Sequence, residues 1–477
     1  MKKAEITVYL ALTLSVMLSL ILTLVEGARS SAIRMQIECV TDMGLNSIFA
    51  EYNKELLRQY ELMFIDTSYG RDLATLANTE THLRNYMEYN FNPTKQTMLL
   101  DCRDWLGIQI EDVMILEASL ATDESGGICK RQAIRYQKNR FGLTPLQDIT
   151  KDAATIKQQH WDTGDITQEQ DRNHDMIDAA LPMRENEKGE MSKVTIDNPA
   201  DQVLGSRNAG ILNLVLDNPS EVSHNSALLS AYSSHRVLHT GTGIPENHSL
   251  EEGLLEEGLF GEYLLDQCST YRKPLEKSLL KYQIEYILFG CAEDSENLQC
   301  CANRLLLIRG AANLAYLRSD STKMAEADMM ALAIASAVLL PELQQAIKQS
   351  LVLAWAYAES VQDIKILLEG GLVPLQKGSA DWHTQLSHLK DFRSHLQENN
   401  TGVTGLDYNG YLRILLSLMD RKEKTSRFLD IIEMDLRLTE GNKEFKIDAC
   451  LDSLTADIAL TSTFGYQYQI HRFYCYE

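Results

Sequence analysis

Between Ile6 and Val25 the chain carries 20 consecutive residues without a charge, flanked by Lys2, Lys3 and Glu5 on one side and by Glu26 and Arg29 on the other. A helix rising about 1.5 Å per residue covers about 30 Å over that run, the hydrocarbon thickness of a bilayer. The length therefore permits one full membrane span. A cleaved secretory signal is the rival reading, because Lys2 and Lys3 form a basic flank and Gly27-Ala28 or Ser30-Ser31-Ala32 supplies small residues. Such signals have an apolar core of about 7–15 residues, shorter than this one. The orientation is nearly balanced, with Lys2 and Lys3 before the run and Arg29 and Arg34 after it. The free amino group tips it toward a cytoplasmic N-terminus with the bulk of the chain outside.

The remaining sequence is that of a globular protein. Its 477 residues hold two or three domains of ordinary size, and 44% apolar content is enough for a buried core. A net charge of −22, from 45 basic and 67 acidic residues, argues against nucleic acid, since phosphate binding needs clustered basic surface. One acidic concentration, Glu246 to Glu262, holds six glutamates and no Lys or Arg. It is expected to be a solvated face or loop. The nine cysteines, at 39, 102, 129, 268, 291, 300, 301, 450 and 475, are odd in number and lack the repeated spacing of zinc ribbons. At least one is therefore expected to be free or to pair between chains.

Apolar residues continue at helical spacing past the membrane run, through Ile33, Ile37, Val40, Leu45, Ile48, Tyr52, Leu56, Tyr60 and Met63. This predicts a stalk helix reaching Asp66, with Gly44 as a bend or close-packing point. A further helix is expected near 73–89, ending before Pro93, then strand structure over Ile108–Leu120 and a turn at 123–127. From 144 to about 250 the chain is polar and punctuated by Pro182, Pro199, Pro219 and Pro245, which reads as a loosely ordered connection. Helical patterns fill 279–288, 300–317, 324–339, 343–368 and 408–438. The Thr-, Tyr- and Ile-rich stretch 456–476 predicts a closing strand or hairpin, pairing with the strand around Ile110.

Candidate chemistry is sparse. His235 and His239 have the i, i+4 spacing of zinc hydrolases, but Arg236 stands where the general-base glutamate would be, and Gly241 and Gly243 interrupt a helix just beyond. His388 and His395 would share a helix face, with His383 off it. Gly241-x-Gly243 lacks the preceding strand and following lysine of a phosphate loop. Carboxylate pairs such as Glu433 with Asp435, or Glu326 with Asp328, are common in any acidic chain. No metal, cofactor or catalytic set is expected. The alanine runs at 311–312, 331–337 and 354–358 favour close helix packing.

The N-terminal residues Lys2-Lys3-Ala4-Glu5-Ile6-Thr7-Val8-Tyr9, the apolar helix and the Val25-Glu26-Gly27-Ala28-Arg29 edge together resemble pseudopilins of the tight-adherence (Tad) type. The resemblance implies leader processing between Ala4 and Glu5, and a helix-end motif of Glu26 and Arg29. Tyr9 departs from the pattern, standing where pilins of this class carry the glutamate that registers subunits on a neighbour's amino group. A second resemblance spans nearly the whole chain, carried by 40–57, 279–285, Asn303-Arg304-Leu305-Leu306 and 353–360. These segments look like an uncharacterised family of single-span proteins of Clostridia-type bacteria, whose members tend to be encoded near Tad-like secretion genes. It implies no activity and favours a cell-surface placement.

The expected fold is mainly α with a small β component. It runs from a cytoplasmic flank (1–5) and a transmembrane helix (6–25) to a stalk with a small α+β region (26–143), the connection (144–250) and a helical domain ending in β-structure (251–477). The expected function is that of a non-enzymatic, membrane-anchored structural or accessory component of a Tad-like pilus or secretion system, contacting the membrane and other envelope subunits. The alternative is an envelope-anchored sensor or enzyme with a ligand pocket in the helical domain.

Overall fold

The computed structural model describes residues 2–71, 73–91, 106–141, 146–185, 191–243, 253–396 and 404–476, with the side chains of 2–4, 141, 146–150 and 254 left aside. The fold is mainly helical with a small antiparallel sheet. Its chain divides into two compact units, one made of Met1–Gln132, Val237–Leu250 and Thr439–Glu477, the other of Ala133–Arg236 and Glu251–Leu438.

In the first unit a single helix runs from Lys2 to Phe49. Ile33, Ile37, Val40, Leu45 and Ile48 fall on one stripe at three- to five-residue intervals, and all are buried. The stripe packs with Leu83, Met87 and Phe91 of the Leu76–Phe91 helix and with Leu454, Ala456, Ile458 and Leu460, alternate residues of one strand. Gly44 is a close-packing point: a Cβ there would sit 3.0 Å from both Leu83 Cδ1 and Met87 Cγ. That strand, Cys450–Ser462, is central to the sheet. It pairs antiparallel with Ile108–Leu120, setting Val113 opposite Ile458, and with Gln467–Cys475, setting Ile470 opposite Ile458. Cys450 and Leu451 also meet Asp66 and Ile65. The expected pairing of the C-terminal strand with the Ile110 strand is thus present. Three register shifts along Ile108–Leu120 break its alternation of buried and exposed residues.

The stalk is shorter than its apolar pattern predicts. Asn53 accepts hydrogen bonds from the backbone N–H groups of Glu55 and Leu56, capping a new short helix, Lys54–Tyr60, and Glu61 ends that helix in the left-handed conformation. Leu56 and Tyr60 are buried, but on this second helix.

The second unit is built around the Gln344–Glu369 helix, on which Ile347 and every residue from Ser350 to Leu368 are buried. A helix buried on all faces needs partners all round. Asp294–Ser319, Ser321–Ala337, Ile166–Ala180 and Pro199–Ser206 supply them. Small residues let the axes approach: Ala354, Ala356 and Ala358 on the central helix and Ala327, Ala331 and Ala335 on a neighbour are fully buried.

Two expectations about domain organisation are corrected. Where a loosely ordered connection is expected, the described residues of 144–250 include the Ile166–Ala180 helix, capped by Asp165, and the Pro199–Ser206 helix, capped by Asn198. Ile156, Trp161, Ile166, Ile177, Val203 and Ile211 are buried. Polar composition reflects their outer faces, while single apolar residues per turn face inward. The C-terminal strands, expected to close the helical domain, belong to the first unit instead. The acidic run from Glu246 lies partly outside the described residues. Its described end is paired: Glu257 meets Lys424 at 2.8 Å and Glu262 meets Arg413 at 3.1 Å.

Candidate functional site

The N-terminal helix divides where it starts to pack. From Ile6 to Val25 the large apolar side chains stand exposed, Val16 at 67% among them, and beyond Ser30 the same helix enters the core. Apolar surface of this extent on a free helix is stable only against lipid or other apolar surface. Glu5 is exposed, and the side chain of Ala4 lies outside the described residues. Tyr9 is 70% exposed. At the far edge Glu26 and Arg29 form an i, i+3 ion pair of 3.1 Å. The Arg29 guanidinium also lies 4.1 Å from the centre of the Phe464 ring, in the turn joining the last two strands. The helix does not end at Glu26 and Arg29, as the resemblance implies, but runs on to Phe49; the pair marks only the end of the apolar run, which Arg29 ties to the sheet. Among the described residues this is the one helix long and apolar enough to cross a membrane.

The second unit holds a dry cluster of charge on its central helix. Arg309 donates to Asp363 Oδ2 at 2.9 Å, to the carbonyls of Pro374 and Leu375, to Tyr411 and to Asn313. Lys377 pairs with Glu359 and, at 2.5 Å, with Asp363. Glu359 also accepts from the backbone N–H groups of His383 and Thr384 and from the Thr384 hydroxyl. Burial alone would raise the Glu359 carboxyl, but the Lys377 ammonium and these donors hold it well below the ordinary carboxylate range. Trp355 and Trp382 meet edge to face beside the cluster, with Lys323 Nζ 4.8 and 4.9 Å from their ring centres.

Glu359, Asp363 and His383 present ligand atoms within 4.8 Å of one another, a donor set suited to a cation. The chain supplies the positive charge itself: Lys377 meets both carboxylates and Arg309 meets Asp363, so two cations balance the two carboxylates. The arrangement braces the helical unit. It offers no nucleophile with a free base beside it.

Of the two histidine spacings singled out in the sequence, the structure brings one together and not the other. Ser233–His235 is a single 3-10 turn with no helix continuing to His239, whose N–H and Nδ1 meet buried Asp448 at 2.9 and 2.8 Å. His388 and His395 do meet, their rings stacked 4.0 Å apart across a 3-10 segment kinked at Asp391, and His383 bonds Glu359 instead. Gly241 and Gly243 serve close approach: a Cβ at Gly241 would lie 2.2 Å from the Ala118 carbonyl, and Thr242 donates its N–H to that oxygen. Of the carboxylate pairs, Glu433 holds Arg236 and Arg437, Asp435 accepts from Gln283, and Asp328 pairs with Lys348. Sequence reasoning missed the Glu359–Lys377–His383 grouping. Its signal was four charges, Glu359, Asp363, Lys365 and Lys377, in and just after a long, largely apolar helix.

No curated protein and no solved structure matches the chain. One family model does, over residues 189–462, which is more than half of the sequence and takes in the charge cluster and the central strand of the sheet. The chain thus belongs to a family of unknown function, DUF5702.

Proposed function

We propose that the protein is a non-enzymatic, membrane-anchored component of the cell envelope. In this reading it is a structural or accessory, pseudopilin-like subunit of a Tad-like pilus or secretion system, with its N-terminus in the cytoplasm and its bulk outside. The observation that carries the proposal is that anchor and core share one helix. Its first half is bare and apolar, and its second half is built into a helix-and-sheet unit. A subunit made this way leaves the membrane only as a whole and offers its exposed stripe to lipid or to a neighbour's helix. The sequence Lys2-Lys3-Ala4-Glu5 and the Glu26–Arg29 edge support the narrower, pseudopilin-like reading.

The experiment is N-terminal sequencing of the protein recovered from membranes. A start at Glu5 is expected. A start after Ala28 or Ala32 would identify a cleaved signal and remove the anchor from the proposal, and an intact Met1 would leave an unprocessed anchor outside the pilin pathway.

A second reading, an envelope-anchored sensor, draws on a groove of about 430 Å³ beside the central helix, lined by Asn173, Met176, Arg318, Met324 and Gln349 among others. Asn173 is 2% exposed, and its Oδ1 has no hydrogen-bond partner among the described residues. Thermal-shift screening against a defined metabolite panel checks this. A shift abolished by Asn173→Leu supports it, and a panel without effect removes it.

A further inference from the structure

Of the eight described cysteines, Cys39 is exposed, Cys450 is buried at the start of the central strand and Cys475 is half-buried at the end of the last one. Cys129, Cys268 and Cys301 are fully buried, and burial pushes each thiol up, which makes them inert packing residues. Cys291 and Cys300 are different: both are half-buried, and their sulfurs lie 4.0 Å apart.

The backbone around Cys291 is held on every side. Gly290 closes the Gln283–Phe289 helix in the left-handed conformation, its N–H on the Tyr286 carbonyl at 2.7 Å. Arg427 braces the same turn by donating to the carbonyls of Ile287 and Leu288. Asn297 then clamps Cys291 itself, accepting from its N–H at 2.8 Å and donating to its carbonyl at 2.9 Å. Cys300 lies in the second turn of the Asp294–Ser319 helix that Asn297 also belongs to. Two sulfurs in contact on a fixed frame need only small side-chain rotations to reach the bonded separation of about 2.05 Å, and little chain entropy is lost on closure.

We propose that Cys291 and Cys300 are a disulfide-forming pair, which cross-links the turn after one helix to the start of the next when the protein meets a disulfide oxidant. With glutathione disulfide the exchange balances. One cysteine thiolate attacks a glutathione sulfur, releasing one glutathione thiolate. The other cysteine, as thiolate, then displaces the second glutathione and forms the intramolecular bond. Two protein thiols are oxidised, one glutathione disulfide is reduced to two glutathione thiols, and the two protons pass to those leaving sulfurs. Burial and the neighbouring Cys300 sulfur raise Cys291, so the exchange is slow at neutral pH and faster in mildly alkaline buffer. The pairing follows from local geometry, while its occupancy in cells rests on the exterior placement proposed above.

The test uses the full chain in detergent, incubated at mildly alkaline pH with glutathione disulfide, then alkylated and digested. The expected result is a Cys291–Cys300 cross-linked peptide lighter by two hydrogens, with alkylation lost at both positions together while Cys129, Cys268 and Cys301 stay thiols that are alkylated on unfolding. Cys300→Ser should convert the product to a glutathione adduct on Cys291. Full alkylation of both cysteines in the wild-type protein overturns the proposal, as does a bond from Cys291 to another cysteine. Alkylation of intact cells separates the two readings. A pair that closes in the purified protein yet is found reduced in cells supports the cross-link and counts against the exterior placement.

Discussion

Arg29 and Phe464 are 435 positions apart in the chain by their numbering, and the guanidinium of one lies 4.1 Å from the ring centre of the other. The contact fixes the strand turn against the helix just where the apolar run ends. Exposed cation–π contacts contribute about 0.5–1 kcal/mol. Arg29→Ala and Phe464→Leu are each expected to speed hydrogen exchange in the turn 463–466, and the double variant should go little further than either single one. Additive effects would show that the two side chains act separately.

A charge in the middle of the anchor should abolish insertion without disturbing the fold. Val16 is exposed and packs on nothing in the folded units, so Val16→Arg should cost about 2.5–3.5 kcal/mol of insertion alone. Carbonate extraction of membranes should release the variant, while Val16→Leu stays with the pellet and circular dichroism is the same for both.

Asp363→Ala should be among the most damaging single changes in the helical unit. It leaves Arg309 with no exposed side-chain surface and without its carboxylate, and breaking one side of a buried pair costs about 3–5 kcal/mol. The urea midpoint should fall accordingly. Asp363→Asn, which keeps an acceptor for Arg309, should lose less.

Glu285 predicts a specific pH dependence. It is fully buried, and desolvation pushes its carboxyl from 4.5 up to about 7, against the lowering effect of bonds from the Tyr271 N–H and the Tyr408 hydroxyl. The folded state therefore holds a proton that the unfolded chain has released between pH 4.5 and about 7. Stability from this group is greatest below that window, declines as pH rises through it and is level above it. Glu285→Gln keeps both bonds and removes the proton. The variant should gain on wild type between pH 5 and pH 8 denaturation measurements, and a constant difference would refute the assignment.

Much of the first unit is legible in the sequence because each element buries one face. The stripe Ile33–Ile48 and the alternation Leu454–Leu460 carry the two periods that separate helix from strand. The strand's beginning, at Cys450, escapes because Cys450 and Leu451 are both buried and the alternation is lost there. The break after Phe49 escapes because Leu56 and Tyr60 keep the helical interval across a cap made by a single asparagine. In the second unit the central helix is buried all round, so periodicity cannot say which residues are special. Glu359 is joined to partners 18 and 24 residues on, beyond the reach of any local pattern. Mature protein chemistry, rather than spacing, will decide the processing of Ala4 and Glu5.

The N-terminal helix passes from bare to packed without a change of element between Lys2 and Phe49. Sharp kinks need proline, a helix bulge or an inserted group, and Gly27 and Gly44 leave the helix unbroken. A force applied at the N-terminal end of this helix is thus delivered along one rod to the Leu83, Met87 and Ile458 contacts. With the helix anchored as proposed, a load from the bilayer reaches the first unit through those contacts, and single-molecule pulling from Glu5 should meet their resistance.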